Sequence, residues 1–394
     1  MQKTSNSQAP GGLFSDSRWE EIRARFPTLE RRTYLNSCAY GAISTDVAKA
    51  LRQYVNDRVE KGSDWDYWVQ KNESVRGAVA QLLGADPDEI AITSSASAGI
   101  NSVASALNFD RPRNKVVISD FEFPTNGQIW YAQEMRGAKV VRVAANDGYI
   151  PVENFEQAID EETLIVAVTH VCYRNGAKLD IPAIAELARR NGALMLMDGY
   201  QGLGTIAIDA ASSGADFIVG GMVKYLLGTA GIGFLYARSE LIPKLTPTVT
   251  GWFAQADINA MDATRYDPAP TARRFEAGTP PVPNSYAAEA GLSIIRKIGL
   301  PAIEARIGEL TDAVRDAARE AGYSIATPAD PAHHGPMVAI RAHNDAALVA
   351  KLGEAGIVTS CRGGNLRVAL HFYNNASDIE SLFTALKRNE DLLV

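Results

Sequence analysis

Between residues 89 and 238 the chain repeats one pattern, a short apolar run followed by a loop and then an amphipathic stretch. Seven such runs are present: EIAIT (89–93), KVVISD (115–120), AKVVRVAA (138–145), TLIVAVTHV (163–171), ALMLMDGY (193–200), DFIVGG (216–221) and GFLYAR (233–238). Runs this uniformly apolar suit strands buried on both faces. The intervening stretches, such as IPAIAELARR (181–190), place apolar residues at i, i+3, i+4 and i+7, as a helix packed on one side requires. The pattern therefore predicts an α/β fold, a mostly parallel sheet with helices on both faces. One stretch imitates a membrane span: Phe217 to Tyr236 is twenty residues with a single charge. Its five glycines and central lysine instead predict two buried strands joined by a glycine-rich loop, which places Lys224 in an apolar interior.

The chain's 394 residues suit one large domain and a smaller one. A shift to Pro, Gly, Thr and polar residues near Leu245 marks a long irregular connection, followed by two helical stretches and then alternating short strands and helices. The expected division is an N-terminal segment (1–30) packing on the small domain, a large α/β domain (31–265) and a small C-terminal α+β domain (266–394). A net charge of −7 gives no general attraction to nucleic acid or anionic membrane. The three cysteines, Cys38, Cys172 and Cys361, are far apart and odd in number, which provides neither a disulfide framework nor a metal knuckle. His333-His334 lacks nearby ligands at metal spacing, and no metal is expected. No continuous apolar segment follows the first lysine, so the expectation is a cytoplasmic protein.

In open α/β sheets, ligands bind outside the carboxyl ends of the strands. After the run 89–93 comes Thr93 to Gly99, small hydroxyl residues leading into a helix. Backbone N–H groups at such a helix start suit a phosphate, although the same serines also serve as ordinary caps. Asp198 ends the otherwise apolar run ALMLM, and a buried carboxylate needs a cationic or hydrogen-bonding partner. Lys224 ends the next run, where desolvation would make its amine a nucleophile for carbonyl compounds. The simplest alternative is a buried ion pair between these two residues. A ligand with a phosphate, an aldehyde for the lysine and a basic nitrogen for the aspartate satisfies all three features, and pyridoxal 5'-phosphate is such a ligand.

From TYLNSCAYG (33–41) to LRVALHFYNN (366–375) the sequence resembles the class V aminotransferase-like family of fold-type I pyridoxal phosphate enzymes. That family includes cysteine desulfurases, selenocysteine lyases, kynureninases and isopenicillin N epimerase-like proteins. The resemblance implies that Lys224 of GGMVKYLLGTAGIG binds the cofactor aldehyde and moves the Cα proton, and that Asp198 partners the pyridine nitrogen. It implies a phosphate cradle at Ala96, Ser97 and Ala98, and contact of Gln201 (MDGYQGLG) with the phenolic oxygen. Phe123 (DFEFPTN) is expected to stack on the ring, and His170 and Tyr173 (THVCYRNG) to line the cofactor cleft. Arg367 is expected to bind the substrate carboxylate, with Arg362 and Tyr40 assisting. RRFEAGTPP (273–281) resembles a segment that reaches into a neighbouring subunit, with Thr279 on the phosphate, which implies a homodimer with shared active sites.

Two departures from the family pattern stand out. Desulfurases carry Ser-x-His before the lysine, where this chain has Gly221-Met222-Val223. They also need a persulfide-forming cysteine on a flexible loop before the C-terminal arginine, and Cys361 reads instead as a strand-end structural residue. The expectation is a carbon–heteroatom β-elimination lyase, of C–S type, acting on a small amino acid without persulfide transfer. Epimerisation, transamination and a non-catalytic cofactor-binding scaffold are the alternatives.

Overall fold

The computed structural model describes residues 17–394. All seven apolar runs are strands of one sheet: β1 (Ile90–Thr93), β2 (Lys115–Ser119), β3 (Lys139–Val143), β4 (Thr163–Thr169), β5 (Leu194–Asp198), β6 (Phe217–Gly221) and β7 (Gly233–Ala237). Their order is β1-β7-β6-β5-β4-β2-β3. Neighbours are parallel except around β7, which runs antiparallel to both β1 and β6. The membrane-like stretch is therefore the antiparallel pair β6–β7, and the loop between its strands holds Lys224. No helix among the described residues is long and apolar enough to cross a membrane.

Alternate strand residues feed two cores, one on each face of the sheet. Val166, Val168, Met195, Met197 and Ile218 enter one core with Ile181, Ile184 and Leu187 of the helix Ile181–Arg190. Ile165, Ala167, Leu196, Phe217 and Val219 enter the other with Ile100 and Val103 of the helix Ala96–Ala106. Each Val, Ile, Leu, Met or Phe among them contributes about 1.5–3 kcal/mol by leaving water. β3 departs from the expectation of burial on both faces: it is an edge strand, and Lys139, Val141 and Arg142 are exposed.

Residues 238–281 form the irregular connection, with only short 3-10 turns such as Trp252–Ala254 and Ala272–Phe275. Helices Val282–Ile298 and Leu300–Glu320 follow. A second, antiparallel sheet of β8 (Met337–Arg341), β9 (Ser360–Arg362) and β10 (Asn365–Ala369) packs Val338, Ile340, Leu366 and Val368 against Leu310 and Val314. The segment before residue 31 touches this unit: Arg23 pairs with Asp378 at 2.8 Å, and Phe26 packs on Phe372 and Tyr373. Residues 35–41 join the two sheets. Ala369 donates to the Leu35 carbonyl, while Gly41 donates to the Val223 carbonyl. This strap brings β10, and with it Arg367, to the carboxyl end of β6.

Candidate active site

The carboxyl ends of β1, β4, β5 and β6 surround a cavity of about 240 Å³ lined by residues that include Ser95, Ala96, Ser97, Phe123, Tyr200 and Lys224. Ile100, Thr125, Thr169, Tyr173, Asp198 and Gln201 complete its wall. A larger groove of about 880 Å³ between helices 45–61, 65–83 and 282–298 contains none of these residues, and its charges include the pairs Lys71–Glu289 and Arg25–Asp46. Asp198 and Lys224, whose charged forms burial disfavours and which form no ion pair with each other, line the smaller cavity, so the chemistry is placed there.

At one end of the cavity, helix Ala96–Ala106 is capped by the Ser95 hydroxyl, which accepts the Ala98 N–H at 3.1 Å. That bond uses the Ala98 donor, and Ala98 does not line the cavity. The N–H groups of Ala96 and Ser97, without acceptors inside the helix, remain at the positive end of its dipole. The Ser97 hydroxyl lies 3.3 Å from that of Thr125.

Deep in the wall, Asp198 is buried, and one carboxylate oxygen accepts the Tyr200 N–H at 3.0 Å. Burial pushes its carboxyl above the ordinary value, against the pull of that N–H and of Lys224. No ion pair joins Asp198 to Lys224 among the described residues, so the simplest alternative reading is not realised. Burial pulls the Lys224 ammonium down to about 8; Arg367 acts in the same direction, and Cys38 and Asp198 act against it. The Lys224 Nζ lies 4.3 Å from the centre of the Tyr200 ring and 5.7 Å from that of Phe123.

Phe123 is 45% exposed, so its ring is available at the cavity rather than spent on core packing. It meets Tyr173 edge to face at 5.1 Å. The Gln201 amide is buried and donates to the Cys38 carbonyl at 3.1 Å. Arg367 is also buried, with Nη1 donating to the Tyr173 carbonyl at 2.9 Å and Nη2 to the Ser360 hydroxyl at 2.8 Å. Its Nε has no hydrogen-bond partner among the described residues.

Besides Ala98, three expected residues, His170, Arg362 and Tyr40, are placed elsewhere. Side chains alternate along a strand, so Thr169 faces the cavity while His170 turns away and abuts Gly202. Burial pulls His170 down to about 4, leaving a neutral ring. Arg362 is exposed near the β9–β10 turn and donates to the Cys361 carbonyl. Tyr40 lies outside the cavity lining, its hydroxyl 3.0 Å from that of Thr229. Thr279, expected at the phosphate of a neighbouring copy, is exposed on this chain. Sequence reasoning passed over Tyr200, Thr125 and Thr169, although all three sit inside or beside motifs it singled out. It also passed over Glu122, which is half-buried next to Phe123 and accepts from the Ser119 hydroxyl, the Asn126 amide and the Thr169 N–H. Burial raises its carboxyl to about 7.

This donor set fits pyridoxal 5'-phosphate. A buried carboxylate without a cation suits a protonated pyridine nitrogen, a near-neutral amine suits the aldehyde, and free N–H groups at a helix start suit the phosphate. Comparison with known proteins agrees. Residues 33–382 match the family model Aminotransferase class-V. The uncharacterized aminotransferase YcbU of Bacillus subtilis is 37% identical, over 91% of this chain and 95% of its own length. A kynureninase of Deinococcus radiodurans is 30% identical, over 86% of this chain and 85% of its own. In fold, the chain matches an apo cysteine desulfurase of Thermococcus onnurineus with a TM-score of 0.86 and 23% identity, covering 96% and 98% of the two chains. The chain belongs to the class V aminotransferase family and is a pyridoxal 5'-phosphate enzyme.

Proposed function

We propose that this enzyme is a lyase that breaks the bond from Cβ to a heteroatom, sulfur foremost, in a small amino acid, without carrying the sulfur on a cysteine. The observation that carries this reading is the placing of the thiols. Cys38 and Cys172 are buried, and Cys361 is held in β9 opposite Leu366, its thiol pushed up by burial. Persulfide transfer needs an accessible, low-pKa thiolate.

In this reading the Arg367 guanidinium binds the substrate carboxylate, with its unpartnered Nε as an available donor. Asp198 keeps the pyridine nitrogen protonated, and pyridoxal phosphate bound there supplies an electron sink next to Cα. The Lys224 amine takes the Cα proton. The electron pair of that C–H bond forms the Cα=Cβ bond as the Cβ–S bond breaks, and the sulfur leaves with its pair. The released enamine takes up water to give a keto acid and ammonia. Phe123 and Gln201, both lining the cavity, would hold the pyridine ring. The free cysteines fit a reducing, cytoplasmic setting, and the exposed Thr279 fits a homodimer in which it serves the second copy.

Product analysis on a panel of small amino acids tests the reading, with light scattering on the same sample reading the mass against the 42.4 kDa chain. Keto acid and ammonia in equal amounts, lost in Lys224→Ala, are expected. An enantiomerised substrate, a cofactor left in its amine form, or a persulfide on Cys361 would each replace elimination with another reaction. A particle of one chain's mass would remove the role given to Thr279.

A further inference from the structure

The residue before the Met-Val-Lys stretch is Gly221, and it is a glycine for a specific steric reason. A Cβ placed there would lie 2.2 Å from the Tyr200 hydroxyl oxygen, 2.4 Å from Cζ and 2.6 Å from Cε2. The phenol of Tyr200, two residues beyond the end of β5, thus occupies the volume a side chain at the end of β6 would fill. Tyr200 lines the cavity, and its hydroxyl has no hydrogen-bond partner among the described residues.

The position of that hydroxyl follows from the register. Gly221 pairs with Gly233 across β6 and β7. Paired residues share a face, with Cβ positions about 5 Å apart. A Cβ at Gly233 would lie 2.8 Å from the Ser95 carbonyl carbon and 3.0 Å from the Ala96 nitrogen. The Tyr200 hydroxyl and the start of helix Ala96–Ala106 therefore stand on one face, about one strand spacing apart, a gap that the oxygens of a single phosphate group span.

We infer that the Tyr200 hydroxyl is a ligand of the cofactor phosphate, supplied from the turn after β5 in place of a side chain at position 221. The ring carries the hydroxyl past Lys224, and the helix start provides the opposing N–H donors. Val223 is apolar, so the hydroxyl at this strand end comes from Tyr200.

The test compares apoprotein binding of pyridoxal phosphate with binding of pyridoxal, which lacks the phosphate, by equilibrium dialysis. Tyr200→Phe keeps the ring and removes only the oxygen. A hydrogen bond to a charged group corresponds to about a 10- to 100-fold loss in affinity. That loss is expected for pyridoxal phosphate, with pyridoxal unchanged. Equal losses for both ligands, or no loss for either, would overturn the assignment. A double variant, Tyr200→Ala with Gly221→Ser, returns a hydroxyl to the same volume and is expected to bind pyridoxal phosphate at least tenfold more tightly than Tyr200→Ala alone; no gain would also overturn it. Wild-type protein unable to bind pyridoxal phosphate would instead remove the cofactor assignment on which the inference rests.

Discussion

Lys224 must be a free amine before it can attack an aldehyde or take a proton, and its surroundings set how often it is. Burial pulls its ammonium from the ordinary lysine value of 10.5 down to about 8. At pH 7 the neutral fraction is then about one in ten, against about one in three thousand for an ordinary lysine, a gain of about 300-fold. Trace acetylation of the apoprotein with acetic anhydride between pH 6 and 11, read by peptide mass mapping, gives the titration of this one amine. Burial slows entry of the reagent at every pH alike and leaves the midpoint unmoved. The expected midpoint for Lys224 is about 8, and in urea-unfolded protein about 10.4. Two substitutions probe the cause. Arg367→Gln removes a neighbouring positive charge and is expected to raise the midpoint, whereas Asp198→Asn removes a negative one and is expected to lower it. A native midpoint at 10 or above would refute the reasoning, as would shifts of the same sign in the two variants.

Two further outcomes follow from buried charge elsewhere. The Glu122 carboxyl is raised from 4.5 to about 7, so its protonated form stabilises the fold below 4.5 and that contribution is lost as the pH rises through 7. Glu122→Gln is therefore expected to gain about 2–3 kcal/mol on the wild type between pH 5 and pH 8 in urea titrations, and a difference that stays flat with pH would count against it. Arg76 and Glu276 form a buried pair at 2.7 Å, and Glu276 also accepts the Ile92 N–H at 2.8 Å, tying the segment before Thr279 to β1. Arg76→Met would strand the Glu276 charge and is expected to destabilise by about 3–5 kcal/mol by the same measurement, with an unchanged midpoint as the opposing result.

The fold was legible because its signal is redundant. Every strand of the large sheet buries both faces except the edge strand β3, so the apolar runs stand out without any knowledge of their partners. Asp198 and Lys224 were legible for a related reason, each being a charge at the end of a run that excludes charge. What escaped was phase and distance. His170 and Thr169 differ by one residue, and only the pairing of β4 with β5 decides which of them faces the cavity. Arg362 and Arg367 are five residues apart in sequence, yet the β9–β10 turn leaves one exposed and the other buried beside Tyr173.

Glu122 and Tyr200 were missed for a different reason, since both act through partners that are distant in the chain or lack a side chain. Glu122 takes the Thr169 N–H from another strand, and Tyr200 fills the space above Gly221. Read along the chain, a glycine in place of a polar residue before the lysine counts as a lost contact. Read across β5 and β6, it is the room that lets a tyrosine lie over the strand end with its hydroxyl free. The departure at Gly221 and the otherwise unremarked Tyr200 are thus two halves of one substitution. The same logic predicts that a side chain at 221 collides with the ring while Tyr200 is present and is accommodated once residue 200 is small, which is the pairing that Tyr200→Ala with Gly221→Ser restores.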